Sequence, residues 1–192
     1  MNKKTHQLVL TALMIALMIV LQMTGIGLIR LGVINITFYC TVIAIGAMML
    51  GLKSGLILGF AFGTISLISA VQAPSGLVAP LTSTPAGWPL VAVMCYVPRL
   101  LVPVMAYGVY AILNKGGVNP HISVSAGAAA GSLTNTILYL GLLLLNYSIT
   151  VADYPGLLAT VGTIALTGGI PEAIVAALVA SPVVIALKKI YK

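Results

Sequence analysis

Long apolar runs constrain the fold of this 192-residue chain more than any other feature of its sequence. Apolar side chains make up 60% of the residues and charged side chains only 6%. A soluble domain carries about 25% charged residues, so this chain could not cover a water-exposed surface. A disordered chain would need the opposite composition. The sequence therefore predicts an integral membrane protein.

Six apolar segments are each about long enough to form a membrane-spanning helix, which needs about 20 residues. The predicted fold is all-α, a compact bundle of six transmembrane helices that forms one domain over residues 1–192. Proline favours the first turn of a helix, so the sixth helix is predicted to begin near Pro171. Residues 157–167 are predicted either as a separate outer segment or as an extension of that helix. The predicted helices cover residues 7–29, 33–50, 54–71, 89–113, 122–146 and 171–190.

The placement of the lysines predicts the orientation of the bundle. With six spans, every lysine falls at a chain end or in a connection on the same side of the membrane as the two termini. Cytoplasmic loops are the ones enriched in lysine and arginine, so both termini are predicted to be cytoplasmic. The lysines are scattered and form no basic face, which excludes nucleic acid as an expected partner. They are Lys3, Lys4, Lys53, Lys115, Lys188, Lys189 and Lys192.

Arg99, Asn135 and Glu172 place polar groups inside the predicted membrane core. Counted at 1.5 Å per residue, they lie roughly 20–27 Å from the inner ends of three different helices. Charge in a membrane interior is costly and usually faces a partner or a cavity. Two interpretations stay open: a structural Arg99–Glu172 ion pair with Asn135 bonded to backbone, or a polar ligand pocket open to the outside. The arginine fork and the start of the sixth helix would suit a small anionic or strongly polar ligand.

The outer connections are longer than the inner ones, which suggests that the outer face recognises something. Gln72 and Trp88 lie in or beside these connections, and Tyr96 lies one turn before Arg99. All three are predicted substrate-binding residues. Trp88 has a second interpretation, as an aromatic anchor at the membrane interface.

Small residues recur at spacing four on two predicted helices. Gly51, Gly55, Gly59 and Gly63 would form a groove on one face of the third helix, either for packing inside the protein or for a transport-specific role. Ala12 and Ala16 would let a neighbouring helix approach the first helix closely. That neighbour could belong to this chain or to another subunit.

Motifs for catalysis and for energy conversion are missing from the sequence. It has no phosphate-binding G-x-x-x-x-G-K-[ST] loop, no H-E-x-x-H motif and no serine–histidine pair inside the membrane. His6 and His121 have no further ligands at metal-binding spacing. The prediction is therefore no catalytic residue, no metal site and no enzyme. Two acidic residues are also few for ion coupling, so a solute-binding protein of this kind needs a partner that supplies energy.

With these features the chain resembles, over essentially its whole length, the substrate-binding S components of energy-coupling factor (ECF) vitamin transporters. Taken together, the shared segments look most like the branch that includes the pantothenate-specific S components. The residues that carry the resemblance are Ala12 and Ala16, the run Leu50 to Gly55 continuing to Gly59, Gly63 and Ser66, Val97-Pro98-Arg99, Leu133-Thr134-Asn135-Thr136, and Gly169 to Ala173.

The resemblance implies a high-affinity vitamin-binding subunit in the plasma membrane of a bacterium. Such a subunit captures its vitamin outside and works with a membrane scaffold subunit and two cytoplasmic ATPases. It binds no cofactor itself, because ATP is hydrolysed by the partner ATPases. Ala12 and Ala16 are then the surface that meets the scaffold. The alternatives are another vitamin or precursor (cobalamin, hydroxymethylpyrimidine, riboflavin or folate), an autonomous secondary transporter or channel, and an intramembrane enzyme.

Overall fold

The computed structural model describes residues 3–24, 28–31, 34–151 and 155–190. Within these residues the protein is predominantly helical, with one short hairpin of two strands. A π-helical turn, Ala165–Gly169, joins α7 to α8 without a break. The elements are α1 Lys3–Thr24, β1 Leu28–Leu31, β2 Ile34–Thr37, α2 Tyr39–Leu50, α3 Leu52–Gln72, α4 Ala79–Thr82, α5 Gly87–Lys115, α6 Pro120–Thr150, α7 Leu157–Ile164 and α8 Ile170–Ile190.

Five helical segments of the described chain are long and apolar enough to cross a membrane, as a multi-pass membrane protein requires. The last runs unbroken from Leu157 to Lys189, so residues 157–167 extend the final helix. The N–H of Ile170 bonds the carbonyl of Ala165, five residues back. This wider turn accommodates Pro171, whose ring would otherwise press on the carbonyl four residues before it. The other four segments that are long and apolar enough to cross a membrane are Lys4–Thr24, Leu52–Gln72, Gly87–Lys115 and Pro120–Thr150.

The second predicted helix, 33–50, differs most from the structure. Its helical part begins at Tyr39 and is about 18 Å long, which is short for a hydrocarbon core of about 30 Å. Before it, β2 pairs with β1 in antiparallel register, with Leu31 opposite Ile34. β-Branched residues favour this extended backbone over a helix. The first predicted helix, 7–29, likewise ends at Thr24, and its residues 25–27 lie outside the described part of the chain.

The glycines of α3 pack this helix against α5. A Cβ atom on Gly59 would lie 2.5 Å from the carbonyl oxygen of Arg99, and one on Gly63 would lie 2.6 Å from the ring of Tyr96. The prediction of close helix packing is confirmed at these positions. Gly51 precedes α3 as the turn from α2, where its φ of 92° is one that glycine adopts readily.

The small residues of α6 fix its register against α5. A Cβ on Gly131 would lie 3.0 Å from the Ala106 side chain and 3.1 Å from the Val102 carbonyl oxygen. A Cβ on Gly127 would lie 2.6 Å from the Ala106 carbonyl oxygen. Because the two helices run antiparallel, the next turn of α6 brings Asn135 level with Arg99.

Four helix ends meet at one end of the bundle. Gln7 of α1 donates a hydrogen bond to the Leu50 carbonyl at the end of α2, at 3.5 Å. Lys188 near the end of α8 donates to the hydroxyl of Tyr110 near the end of α5. We call this the lysine-bearing end, since the described residues Lys53, Lys115, Lys188 and Lys189 lie there. The hairpin and the connection between α3 and α5 lie at the opposite end.

Candidate functional site

A buried guanidinium lies at the centre of the candidate site. Arg99 is only 8% exposed, and its Cζ lies 5.0 Å from the ring centroid of Phe62 on α3 and 4.6 Å from that of Tyr139 on α6. One terminal nitrogen donates a hydrogen bond of 2.9 Å to the carbonyl of Met94, on its own helix. Two aromatic faces stabilise a desolvated cation here, and each is worth on the order of 1–2 kcal/mol.

Two buried polar atoms, one on Arg99 and one on Asn135 at the same level of the bundle, have unused hydrogen-bonding capacity. Nε of Arg99 and Oδ1 of Asn135 are both buried, and neither has a hydrogen-bond partner among the described residues. Buried polar atoms in folded proteins are nearly always paired with protein, water or ligand. A donor and an acceptor left open at one level of the bundle therefore suit a ligand that carries both kinds of group.

Glu172 lies in the first turn of α8 and is 6% exposed. Gly169, three residues earlier in the chain, packs against the side chain of Thr136 on α6. Thr136 directly follows Asn135, so this contact places the start of α8 beside α6. The start of α8 is thus within about one helical turn of the Asn135 level. Its carboxylate and the partial positive charge of the α8 N-terminus add further polar groups to the same region.

The depth of these groups agrees with the sequence-based prediction. Measured along the helix axes from the lysine-bearing end, Arg99 lies about 24 Å from Lys115, Asn135 about 22 Å from Pro120 and Glu172 about 27 Å from Ile190. The hydrocarbon core of a bilayer is about 30 Å thick. All three groups therefore lie nearer the end of the bundle that carries the hairpin and the longer connections.

The other three predicted substrate-binding residues lie away from this cluster. Tyr96 turns towards the half-exposed edge of α3, where its hydroxyl is 3.1 Å from that of Thr64 and its ring packs on Phe60 at 5.2 Å. Trp88 is half-buried at the start of α5, and Gln72 is exposed at the last residue of α3. Their roles in binding stay predictions.

Aromatic residues around Arg99 are the part of the site that the sequence analysis missed. Phe62 also packs on Tyr39 at the start of α2, with ring centroids 4.8 Å apart. A helical spacing of four from Asn135 could have pointed to Tyr139, because both then lie on one face of α6. Phe62 could have been found as the large residue beside the glycines that pack α3 on α5. We call Tyr39, Phe62 and Tyr139 the aromatic cage.

Ala12 and Ala16 are exposed on α1, as a surface that meets another subunit must be. The helix is the most loosely packed of the five candidate spans, with 11% of its most apolar stretch buried inside the protein. Large apolar side chains beside the two alanines, such as Leu13 at 59% exposure, also face outward. Exposure alone suits lipid as well as a partner, so the docking role stays a prediction.

Comparison with known proteins decides the family. A family model described as "ECF transporter, substrate-specific component" matches residues 6–185. The chain belongs to this family. It is a family of transporter components and not of enzymes, and its members bind small-molecule substrates and work with a membrane scaffold and ATPases.

One curated relative matches this substrate-specific component over nearly its whole length. The chain is 29% identical over 196 residues to the "Pantothenic acid transporter PanT" of Lactococcus lactis subsp. cremoris (strain MG1363). The match covers 98% of this chain and 96% of the relative. The resemblance to S components found in the sequence is thereby confirmed, and it extends to a relative named for pantothenate.

Proposed function

We propose that this S component binds pantothenate from outside a bacterial cell and delivers it inward as the substrate-binding subunit of an ECF transporter. The observation that carries the proposal is the open donor Nε of Arg99, whose guanidinium lies between Phe62 and Tyr139, together with the open acceptor Oδ1 of Asn135 at the same level of the bundle. The full-length similarity to a relative named as a pantothenic acid transporter supports the same substrate.

The chemistry of pantothenate matches these groups. The molecule is a monocarboxylate that also carries hydroxyl and amide groups. Nε of the Arg99 guanidinium can donate a charge-assisted hydrogen bond to the carboxylate. Oδ1 of Asn135 can accept from a hydroxyl or an amide N–H, and Glu172 can accept from a second hydroxyl. The aromatic cage excludes water, which strengthens each of these interactions.

We place the lysine-bearing end in the cytoplasm of a bacterial plasma-membrane protein. Lys53, Lys115, Lys188 and Lys189 all lie there, and cytoplasmic connections favour such residues. If the hairpin and α2 together carry the chain across the bilayer, the protein has six crossings and two cytoplasmic termini. The substrate site is then reached from the outer side, beneath the hairpin and the α3–α5 connection.

Transport itself requires the partner subunits in this proposal. The exposed Ala12 and Ala16 face of α1 meets the membrane scaffold, since small residues let a second helix approach closely. Two cytoplasmic ATPases hydrolyse ATP, and this chain binds no cofactor. The competing functions are binding of another vitamin and transport by the chain alone as a secondary transporter or channel.

Binding of pantothenate by the purified chain in lipid nanodiscs tests the proposed substrate. Calorimetric titrations with pantothenate, riboflavin, folate, cobalamin and hydroxymethylpyrimidine should give heat for pantothenate alone. Tight binding of a different vitamin would reassign the substrate, and no binding at all would refute the proposal. Mass spectrometry of the ligand that copurifies with the protein is an independent check.

Uptake assays test the need for partners. Vesicles that hold this chain together with the scaffold and ATPase subunits should accumulate radiolabelled pantothenate when ATP is supplied inside. Vesicles with this chain alone should accumulate none. Accumulation without partners or ATP would instead identify an autonomous transporter.

A further inference from the structure

Helix α1 packs on the bundle along a single narrow stripe. Thr11 and Met18 are buried at 4% and 0% exposure, and Gln22 lies one turn beyond Met18. At 100° per residue these three positions fall within about 40° of one another on the helix surface. The two alanines of the docking prediction, Ala12 and Ala16, point about 100–140° away from the stripe. One helix thus carries both an exposed face and a contact with the rest of the bundle.

Gln22 joins α1 to two other helices through its side-chain amide. Its Oε1 accepts a hydrogen bond of 2.8 Å from the hydroxyl of Tyr39 on α2. Its Nε2 donates one of 3.0 Å to the hydroxyl of Ser69 on α3. Ser69 in turn donates to the carbonyl of Ile65 on its own helix, at 2.9 Å. Both ends of the amide are therefore engaged.

The first of these bonds leads directly into the candidate site. Tyr39 is only 1% exposed, and its ring packs on Phe62, which itself lies against the guanidinium of Arg99. Met18 is part of the same buried apolar cluster as Tyr39 and Phe62. Close-packed interiors transmit displacements from one side chain to the next. A shift of the Tyr39 ring would therefore alter the wall on which Arg99 rests.

We propose that Gln22 is a positioning residue of the substrate site. It fixes Tyr39 by accepting a hydrogen bond from its hydroxyl, and through the Tyr39–Phe62 contact it sets the position of Arg99. Without an acceptor on α1, a nearly buried hydroxyl must move to find another partner. The role in substrate affinity rests on the proposed function, whereas the role in holding Tyr39 does not.

Pantothenate affinity of a Gln22→Met variant tests the proposal. Methionine keeps the length of the side chain and removes both hydrogen bonds. We expect the dissociation constant, measured by calorimetry in nanodiscs, to rise about threefold to tenfold, as the loss of one interhelical hydrogen bond predicts. Gln7→Met is the matched control, because it makes the same change on the same helix at an exposed position. Unchanged affinity in Gln22→Met would overturn the proposal.

A double-mutant cycle separates positioning from a general structural effect. In a Tyr39→Phe background there is no hydroxyl for Gln22 to hold, so Gln22→Met should change the affinity further by less than about twofold. If Gln22 only stabilised the bundle, its substitution would weaken binding equally in both backgrounds. Such additivity would also overturn the proposal.

If the wild-type protein does not bind pantothenate, only the proposed function is refuted. The role of Gln22 in holding Tyr39 can then be tested without ligand. Cys40 adjoins Tyr39 and is 1% exposed, while Cys95 is 3% exposed on α5. Maleimide labelling resolved by mass spectrometry should show faster reaction of Cys40 in Gln22→Met, with Cys95 unchanged and Gln7→Met equal to wild type. An unchanged Cys40 rate would show that Gln22 does not hold Tyr39.

Discussion

A methyl group added at Gly59 should destabilise the protein by forcing α3 away from α5. In the structure, the Cβ of Gly59→Ala would lie 2.5 Å from the carbonyl oxygen of Arg99, and 3.2 Å from its carbonyl carbon. The neighbour is backbone in the middle of a long helix, so it cannot swing aside as a flexible side chain could. The two helices must separate, or one must bend.

The magnitude follows from two opposing contributions. Overpacking a close contact typically costs about 1–3 kcal/mol. Replacing glycine by alanine in a helix recovers about 0.5–1 kcal/mol of conformational free energy. The net expectation for Gly59→Ala is a loss of about 0.5–2 kcal/mol in the free energy of unfolding. Because the strained atom belongs to Arg99, substrate affinity should fall as well.

Gly108→Ala is the matched control, since a Cβ there meets nothing within 4 Å and the residue lies in α5 itself. It should stabilise the protein by about 0.5–1 kcal/mol. Unfolding in mixed micelles with increasing SDS, followed by circular dichroism, should therefore separate the two variants by about 1–3 kcal/mol. If Gly59→Ala proved as stable as Gly108→Ala, the close approach of α3 and α5 would be refuted.

Three further outcomes are expected. Arg99→Ala should weaken pantothenate binding by about 100-fold in calorimetry, because a charge-assisted hydrogen bond to a carboxylate is lost; unchanged affinity would remove Arg99 from the site. Asn135→Leu should leave the stability of the empty protein unchanged or raised, since Oδ1 has no partner among the described residues, yet weaken binding about tenfold. Lower stability with unchanged binding would instead show that the Asn135 amide has a structural role. Ala16→Trp should leave binding intact and abolish ATP-driven uptake. The control Ile137→Trp, at a 67% exposed position of α6, should affect neither binding nor uptake. Loss of binding in Ala16→Trp would contradict the docking role.

Much of the candidate site could be predicted from the sequence because the membrane makes polar residues conspicuous. Arg99, Asn135 and Glu172 stand out in apolar helices, and counting residues along each helix already gave their common depth. Tyr96 was predicted from its place one turn before Arg99. In the structure that single turn is enough to direct its ring to the edge of α3, where it meets Phe60.

The aromatic cage could not be predicted in the same way, because aromatic residues do not stand out in an apolar helix. Their role depends on which helices are neighbours. Tyr139 lies over Arg99 only because the glycines of α6 bring that helix against α5, and Phe62 does so from the other side. Tyr39 joins them because the second predicted helix starts six residues later than expected, after the hairpin.

The sequence by itself determined that this is a multi-pass membrane protein, which helices pack through glycine, and which polar groups lie deep in the helix bundle. These properties depend on local composition and spacing, since apolar length and residue periodicity act within a single helix. The tertiary structure alone decided which aromatic rings surround Arg99, how Gln22 connects α1 to Tyr39, and where α2 begins. Those features depend on contacts between segments far apart in the chain, and no local pattern encodes which faces of two helices will meet.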